Sequence, residues 1–395
     1  MTISTLTFQT NALAEMEALQ TALTRTQTEL STGSKLPNAA ANPAAMSQVN
    51  QLNMTLSASQ QYVSNGSAVS SALQLEQAAL TSATNTLQSA RDLAVEANNS
   101  ALSLADRQDI ATQLTQLEQA LLGAANATDA GGNYLFAGTA SGTQPFAQTG
   151  GAVSYQGASQ VNQVQISADQ SVSAGDAGNA VFMNVPTGNG TFTTAVGAAN
   201  SGSGSIDTGS VVSPAAWVPD TYTISFTSPT QYQVTNGAGT VVSSGSYTSG
   251  SAITFNGIQV TVSGAPATGD SFTVAPAGKG SVFATLSSLI TTLNSGSLTS
   301  AQLTTQVGAA IQQIDNALSG LNNVQASVGG RLNAITTVAN NAQSDQTQLQ
   351  GAISQLSSTD YAAAVTQLST QELALQAAQA SYASIAKLSL FNYIP

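Results

Sequence analysis

Few stretches of this chain carry residues that could do chemistry. Gly278-Lys279-Gly280-Ser281 has the glycine and lysine of a phosphate-binding loop. Such a loop sets Ser or Thr directly after the lysine and a glycine where Thr273 stands, so the pattern fails on both counts. Gly188-Asn189-Gly190 is a fragment of a dinucleotide fingerprint inside a Gly-rich region, and chance explains it. Asp106 and Asp109 could be read as an acid–base pair of carboxylates. Their place at a helix start points instead to capping and to complementing the helix dipole. Asp169, Asp176, Asp207, Asp220 and Asp270 are scattered without the regular spacing of a calcium loop.

The chain has no histidine and no cysteine. It therefore lacks the usual general base near neutral pH, thiolate nucleophiles, disulfides and the commonest zinc ligands. No catalytic residue, cofactor site or metal ligand is nominated, and the chain is expected not to be an enzyme. Charged residues make up 7% of its 395 positions and the net charge is -12. No basic residue lies between Arg107 and Lys279. Nucleic acid and anionic membrane surfaces both require clustered cations, so neither is expected as a partner. No window reaches the roughly 18 apolar residues of a membrane span. Met1 to Thr10 has neither a basic nor an apolar signal region, so export with a cleaved signal is not expected.

The elements behind these residues fall into three regions. Residues 1–130 and 281–395 are rich in Ala, Leu, Gln, Ser and Thr, and they read as helix. Residues 131–280, rich in Gly, Thr, Val and Ser, read as strands and turns. The fold class is thus α+β, a long-helix bundle or coiled coil built from both chain ends around an inserted antiparallel β region. Ala12, Met16, Leu19, Leu23, Thr26 and Leu30 step by four and three and form one stripe. Gly33 suits the left-handed cap that ends that helix, and Asn42-Pro43 supplies an N-cap and a favoured first residue for the next. Leu73, Leu80 and Leu87 are one heptad apart.

In the C-terminal region Val307, Ile311, Ile314, Leu318 and Leu321 alternate four and three. Val324, Val328, Ile335 and Val338 follow after a shift of phase that would alter the supercoil locally. The last helix carries Tyr361, Ala364, Leu368, Gln371, Leu375, Ala378, Tyr382 and Ile385, a stripe that mixes small, polar and large residues. Such a seam holds a helix poorly until partners arrive. In the middle region Tyr222, Ile224 and Phe226 alternate with polar residues. Asn256-Gly257 between alternating flanks predicts a hairpin with Phe255 opposite Ile258 and Ile253 opposite Val260. The Gly/Ser-rich stretch Gly197 to Gly209 is expected to be a flexible loop.

Four segments resemble the flagellin-like axial proteins of the bacterial flagellum. They are Gln27 to Leu36 with its Leu-Ser-Thr-Gly helix end, Asp106 through Leu121 to Asn126, Gly132-Asn133-Tyr134-Leu135-Phe136-Ala137-Gly138-Thr139, and Ala378 to Ile394. The third segment and the Ser389-Leu390-Phe391-Asn392-Tyr393 ending resemble the hook–filament junction proteins of that group more than filament flagellins. Where the family commonly has Asp-Asp-Pro, this chain has Ala41-Asn42-Pro43, which keeps the cap and the proline without the charges.

The resemblance implies a subunit of the layer between hook and filament, with a flagellin filament subunit as the alternative. It implies residues 1–42 and 361–395 as terminal coiled-coil assembly helices, 43–140 and 281–360 as a helical bundle domain, and 141–280 as an exposed β-rich insert. Expected subunit-interface residues on the assembly helices are Met16, Leu19, Leu23, Leu30, Leu368, Leu375, Tyr382, Ile385, Leu388 and Phe391. Implied partners are neighbouring copies, the hook-side junction protein, flagellin and a flagellar export chaperone. Implied localisation is the extracellular flagellum, reached by type III export, and no cofactor is implied.

Overall fold

The computed structural model describes residues 5–40, 42–99 and 101–391, with side chains from residue 7 to residue 384 apart from residue 8. The N-terminal region forms α1 (Thr5–Thr32), α2 (Pro43–Ala97) and α3 (Leu104–Ala125). Strands β1 (Phe146–Thr149), β2 (Ala152–Tyr155), β3 (Gln163–Gln165) and β4 (Ser171–Ser173) follow, then the short α4 (Gly178–Phe182), β5 (Val185–Pro186) and β6 (Phe192–Val196). Next come β7 (Ser205–Ile206), β8 (Ser210–Val211), β9 (Tyr222–Ser228), β10 (Gln231–Thr235) and β11 (Val241–Ser246). The β region closes with β12 (Ala252–Phe255), β13 (Ile258–Ser263), β14 (Ser271–Pro276) and β15 (Lys279–Gly280). Helices α5 (Val282–Asn294), α6 (Ser300–Ser357) and α7 (Tyr361–Phe391) complete the chain. The α+β class is as the sequence predicts.

The chain divides into two compact units, one of residues 1–64 with 338–395 and the other of residues 65–337. No helix among the described residues is long and apolar enough to cross a membrane.

In the larger unit the heptad reading is realised in burial. Leu73, Leu80 and Leu87 of α2 are fully buried, and Ala94 continues their spacing. On α6, Val307, Ile314, Leu321, Val328 and Ile335 are seven apart and all buried. The expected shift of phase is therefore absent. The second line of the repeat runs Ile311, Leu318, Gln325, Leu332, each half-buried. A polar residue holds the third place in it, and the half-buried Val324 beside it makes the sequence look out of phase there. Gln325 donates its amide to Thr84 Oγ1 of α2 at 3.2 Å, which satisfies the polar group in the seam. Arg91 and Asp315 pair across the same two helices.

The β region holds an antiparallel five-stranded sheet in the order β11-β10-β9-β14-β6, and a smaller sheet of β12-β13-β7 with β8 also on β13. Their inner faces share one core. Tyr222, Ile224 and Phe226 of β9 are buried with polar residues between them, as period-two alternation requires. The Asn256-Gly257 hairpin has the predicted register, Phe255 opposite Ile258 and Ile253 opposite Val260. Both turn residues take positive φ, 41° and 78°.

The stretch Gly197 to Gly209 is not a free loop. Asn200 exchanges two hydrogen bonds of 2.9 Å with the backbone of Ser271. The buried Asp270 accepts from the amides of Ser201, Gly202 and Ala267. A desolvated carboxylate needs such donors, and glycine and serine let the backbone close around it.

Candidate assembly surface

The two chain ends meet in the smaller unit, where α1 packs along α7. Each helix is stopped and started by local chemistry. α1 ends at Thr32 with Gly33 in the left-handed region at φ 67°. Asn42 Oδ1 accepts from Ala45 N at 3.1 Å and so caps α2. Asp360 Oδ1 accepts from the amides of Ala362 and Ala363 and caps α7. The two interhelix connections are clasped together. Lys35 N donates to Ser357 O at 2.7 Å and Thr359 N to Gly33 O at 3.0 Å, around a Ser34–Ser358 bridge. This short ladder holds the end of α1 beside the start of α7.

Along the seam, Ala12, Met16, Leu19, Leu23 and Leu30 of α1 are half-buried and Thr26 is buried. On α7, Ala364 is buried, and Leu368, Gln371, Leu375, Ala378 and Tyr382 are half-buried. Thr26 Oγ1 donates to Gln371 Oε1 at 2.9 Å, a polar pair inside an apolar stripe that fixes which turn meets which. Of the expected interface residues, Met16, Leu19, Leu23, Leu30, Leu368, Leu375 and Tyr382 therefore lie on the stripes that pair within one chain. The side chains of Ile385, Leu388 and Phe391 lie outside the described residues. Tyr361, the first member of the α7 stripe, is 57% exposed, with its hydroxyl over the Gly33 cap of α1.

Sequence periodicity did not single out the apolar residues on the other faces of these helices. Leu13, Val365 and Leu373 are 46%, 51% and 68% exposed. They fall between the stripe positions, so a search for one stripe passes over them. The Arg25–Glu29 pair one helical turn apart is exposed and adds little.

A second feature lies in the larger unit, where Gly132 to Thr139 leaves α3 for the β region. Asp129 accepts from Gly131 N, Asn133 N and the Asn133 side chain, and these donors hold its carboxyl below the usual carboxylate range. Ser103 does the same for Asp106 in a capping box at the start of α3. Phe136 and Ala137 are fully buried. Phe136 O accepts from Gly178 N and from the Tyr155 hydroxyl, and Ala137 O accepts from Ala158 N. Asn126, at the end of α3, exchanges two 2.9 Å hydrogen bonds with the backbone of Phe146. The segment is thus a structural staple between α3 and the strands, which no periodicity could reveal.

Comparison with known proteins follows the same division. The family model for the bacterial flagellin N-terminal helical region matches residues 3–141, and that for the C-terminal helical region matches 311–394. The model for the D2-like domain of flagellar hook-associated protein 1 matches residues 196–276, which cover most of the two-sheet β domain. The crystal structure of Xanthomonas campestris FlgL is similar at 32% identity with a TM-score of 0.72, over 77% of this chain and 99% of that one. The flagellar junction protein FlgL from Legionella pneumophila is similar at 32% identity and a TM-score of 0.71, over 79% of this chain and 100% of that one. Flagellar hook-associated protein 3 of Escherichia coli K12 is 32% identical over 157 residues, 40% of this chain and 49% of that protein. The chain thus spans about half the length of the curated relatives it matches.

Proposed function

The chain belongs to the FlgL family, the flagellar hook-associated protein 3 group of flagellin-like proteins, and from that premise we propose that it is a structural subunit of the layer joining hook to filament. The observation that carries this reading is the correspondence with the FlgL structures in sequence and fold over nearly their whole length. The Ser389-Leu390-Phe391-Asn392-Tyr393 ending favours it over a filament flagellin. Its partners would be neighbouring copies, the hook-side junction protein, flagellin and an export chaperone. It would work outside the cell after export without signal cleavage, and it would catalyse no reaction.

Residues 1–42 and 361–395 would be its assembly segment. The half-buried seam supports this. A leucine fully buried gains about 1.5–3 kcal/mol over an exposed one, and the seam leucines of α1 and α7 realise only part of that in a single chain. Exposed Leu13, Val365 and Leu373 add apolar surface that neighbouring subunits could cover.

Removing residues 361–395 tests the assignment. The shortened protein is expected to be lost from assembled structures while its β domain stays folded. Trp217 reports the latter, since it is the chain's single tryptophan and packs between Phe192 and Tyr222. Assembly of the shortened chain at the full-length level would contradict the role given to α7.

A further inference from the structure

Glu76 is an acid without a solvent-exposed outlet. It lies on α2 among the buried residues of the larger unit, 1% exposed, and neither carboxyl oxygen meets a donor in ordinary hydrogen-bond geometry. Its carboxyl sits against the backbone of Gly175, where an added Cβ would stand 3.5 Å from Oε2. The charged groups facing it are Asp176, just before α4, and Arg331 of α6. Arg331 spends its two terminal nitrogens elsewhere, while its buried Nε has no partner. Arg331 pairs with Asp176 and donates to the carbonyls of Ser173 and Gly175 at 3.3 and 3.1 Å. One guanidinium thus stands against two carboxyl groups; the Asp176 side chain is 29% exposed, and with both ionised the enclosed Glu76 would keep an uncompensated negative charge away from water. That is among the costlier arrangements a protein interior can hold.

We propose that Glu76, Asp176 and Arg331 form a proton-dependent lock, in which a proton carried by the Glu76 carboxyl ties α2 to residues 173–176 and α6, and whose loss loosens this junction. With the proton on Glu76, its hydroxyl can donate to Asp176, and every charge in the cluster is matched. Burial pushes the Glu76 carboxyl up to about 9, the negative Asp176 adds to the rise, and Arg331 opposes it. The sign follows. The folded chain holds a proton that the unfolded chain releases above the ordinary glutamate value of 4.5, so stability falls as pH rises from there to about 9. The chain has no His and no Cys to mask this, because no other side-chain type ordinarily titrates across neutrality. Among the described residues, Glu118 of α3 is the group that could confound the reading, since desolvation raises its carboxyl too.

Urea unfolding of the full chain at pH 5, 7 and 9, followed by Trp217 fluorescence, tests the lock. The unfolding equilibrium constant of the unmodified protein is expected to climb with pH, by up to roughly tenfold per unit for one proton released. Glu76→Gln, which keeps the shape of the neutral acid, should remove most of that climb and be the more stable protein at pH 9. Glu118→Gln should retain it. An unchanged climb in Glu76→Gln, or none in the unmodified protein, overturns the proposal. A direct count leaves Glu76 intact: unfolding Glu118→Gln at pH 7 in weak buffer should release about one proton per chain, and release of none overturns the proposal equally.

Discussion

Replacing Gly138 by alanine is expected to destabilise the larger unit by about 3–5 kcal/mol, at the severe end of single substitutions. Gly138 sits at φ 62°, in the left-handed region, which already disfavours a side chain. Lack of space costs more still. A Cβ there would stand 2.1 Å from Ala158 O and 2.4 Å from Gln160 O. Both are backbone atoms, so no side chain can swing aside. The two strands of chain are also pinned on either side, by Ala158 N to Ala137 O and Thr139 N to Gln160 O, each 2.9 Å. Relief of the clash therefore breaks hydrogen bonds. Gly132→Ala is the control, because Gly132 also has positive φ, 80°, but open space around its Cβ position. It should cost only about 1–2 kcal/mol. Chemical unfolding curves of the two variants would show the difference, and equal losses would mean that the close approach at Gly138 is unimportant.

The second large effect is expected at Phe146. Its ring is fully buried and meets Tyr155 and Phe283 at centroid distances of 5.3 Å and Phe182 at 5.6 Å, with Phe136 reached through Phe182. These rings join α3's exit segment, β1, β2, α4 and α5 in one cluster. Phe146→Ala should cost about 3–5 kcal/mol, the usual range for emptying a buried aromatic site. Phe146→Leu, which refills much of the volume, should cost distinctly less. Denaturant midpoints measure both, and a loss below about 1 kcal/mol for the alanine variant would show that the cluster is not a core.

What could be read from the sequence, and what could not, follows from range. Helix stripes and caps are local, and Leu73, Leu80 and Leu87, the Gly33 cap and the Asn42 cap all occur where their spacing places them. The hairpin at Asn256-Gly257 is equally local, because two positive φ angles leave few other residues. The α1 and α7 stripes were legible, but not which turns meet; the Thr26–Gln371 bond spans most of the chain. Polar residues in core positions misled most. Gln325 broke an apolar repeat that the structure keeps intact, and its partner Thr84 lies on another helix. Asp270 turned a Gly/Ser stretch into ordered backbone from a distance. Glu76 stood in a helix like any polar position, and only the arrival of Asp176 and Arg331 gives it a role. The family signature at Gly132–Thr139 marked kinship; the structure supplies its physical task, a tight exit from α3 that only glycine allows at Gly138.

That this chain joins filament to hook is tested most directly by deleting its gene and imaging the cells by electron microscopy while assaying the medium for flagellin. A junction subunit predicts complete hooks that bear no filaments, with flagellin lost to the medium and filaments restored by the intact chain. Filaments of normal length on the deleted strain would contradict that role.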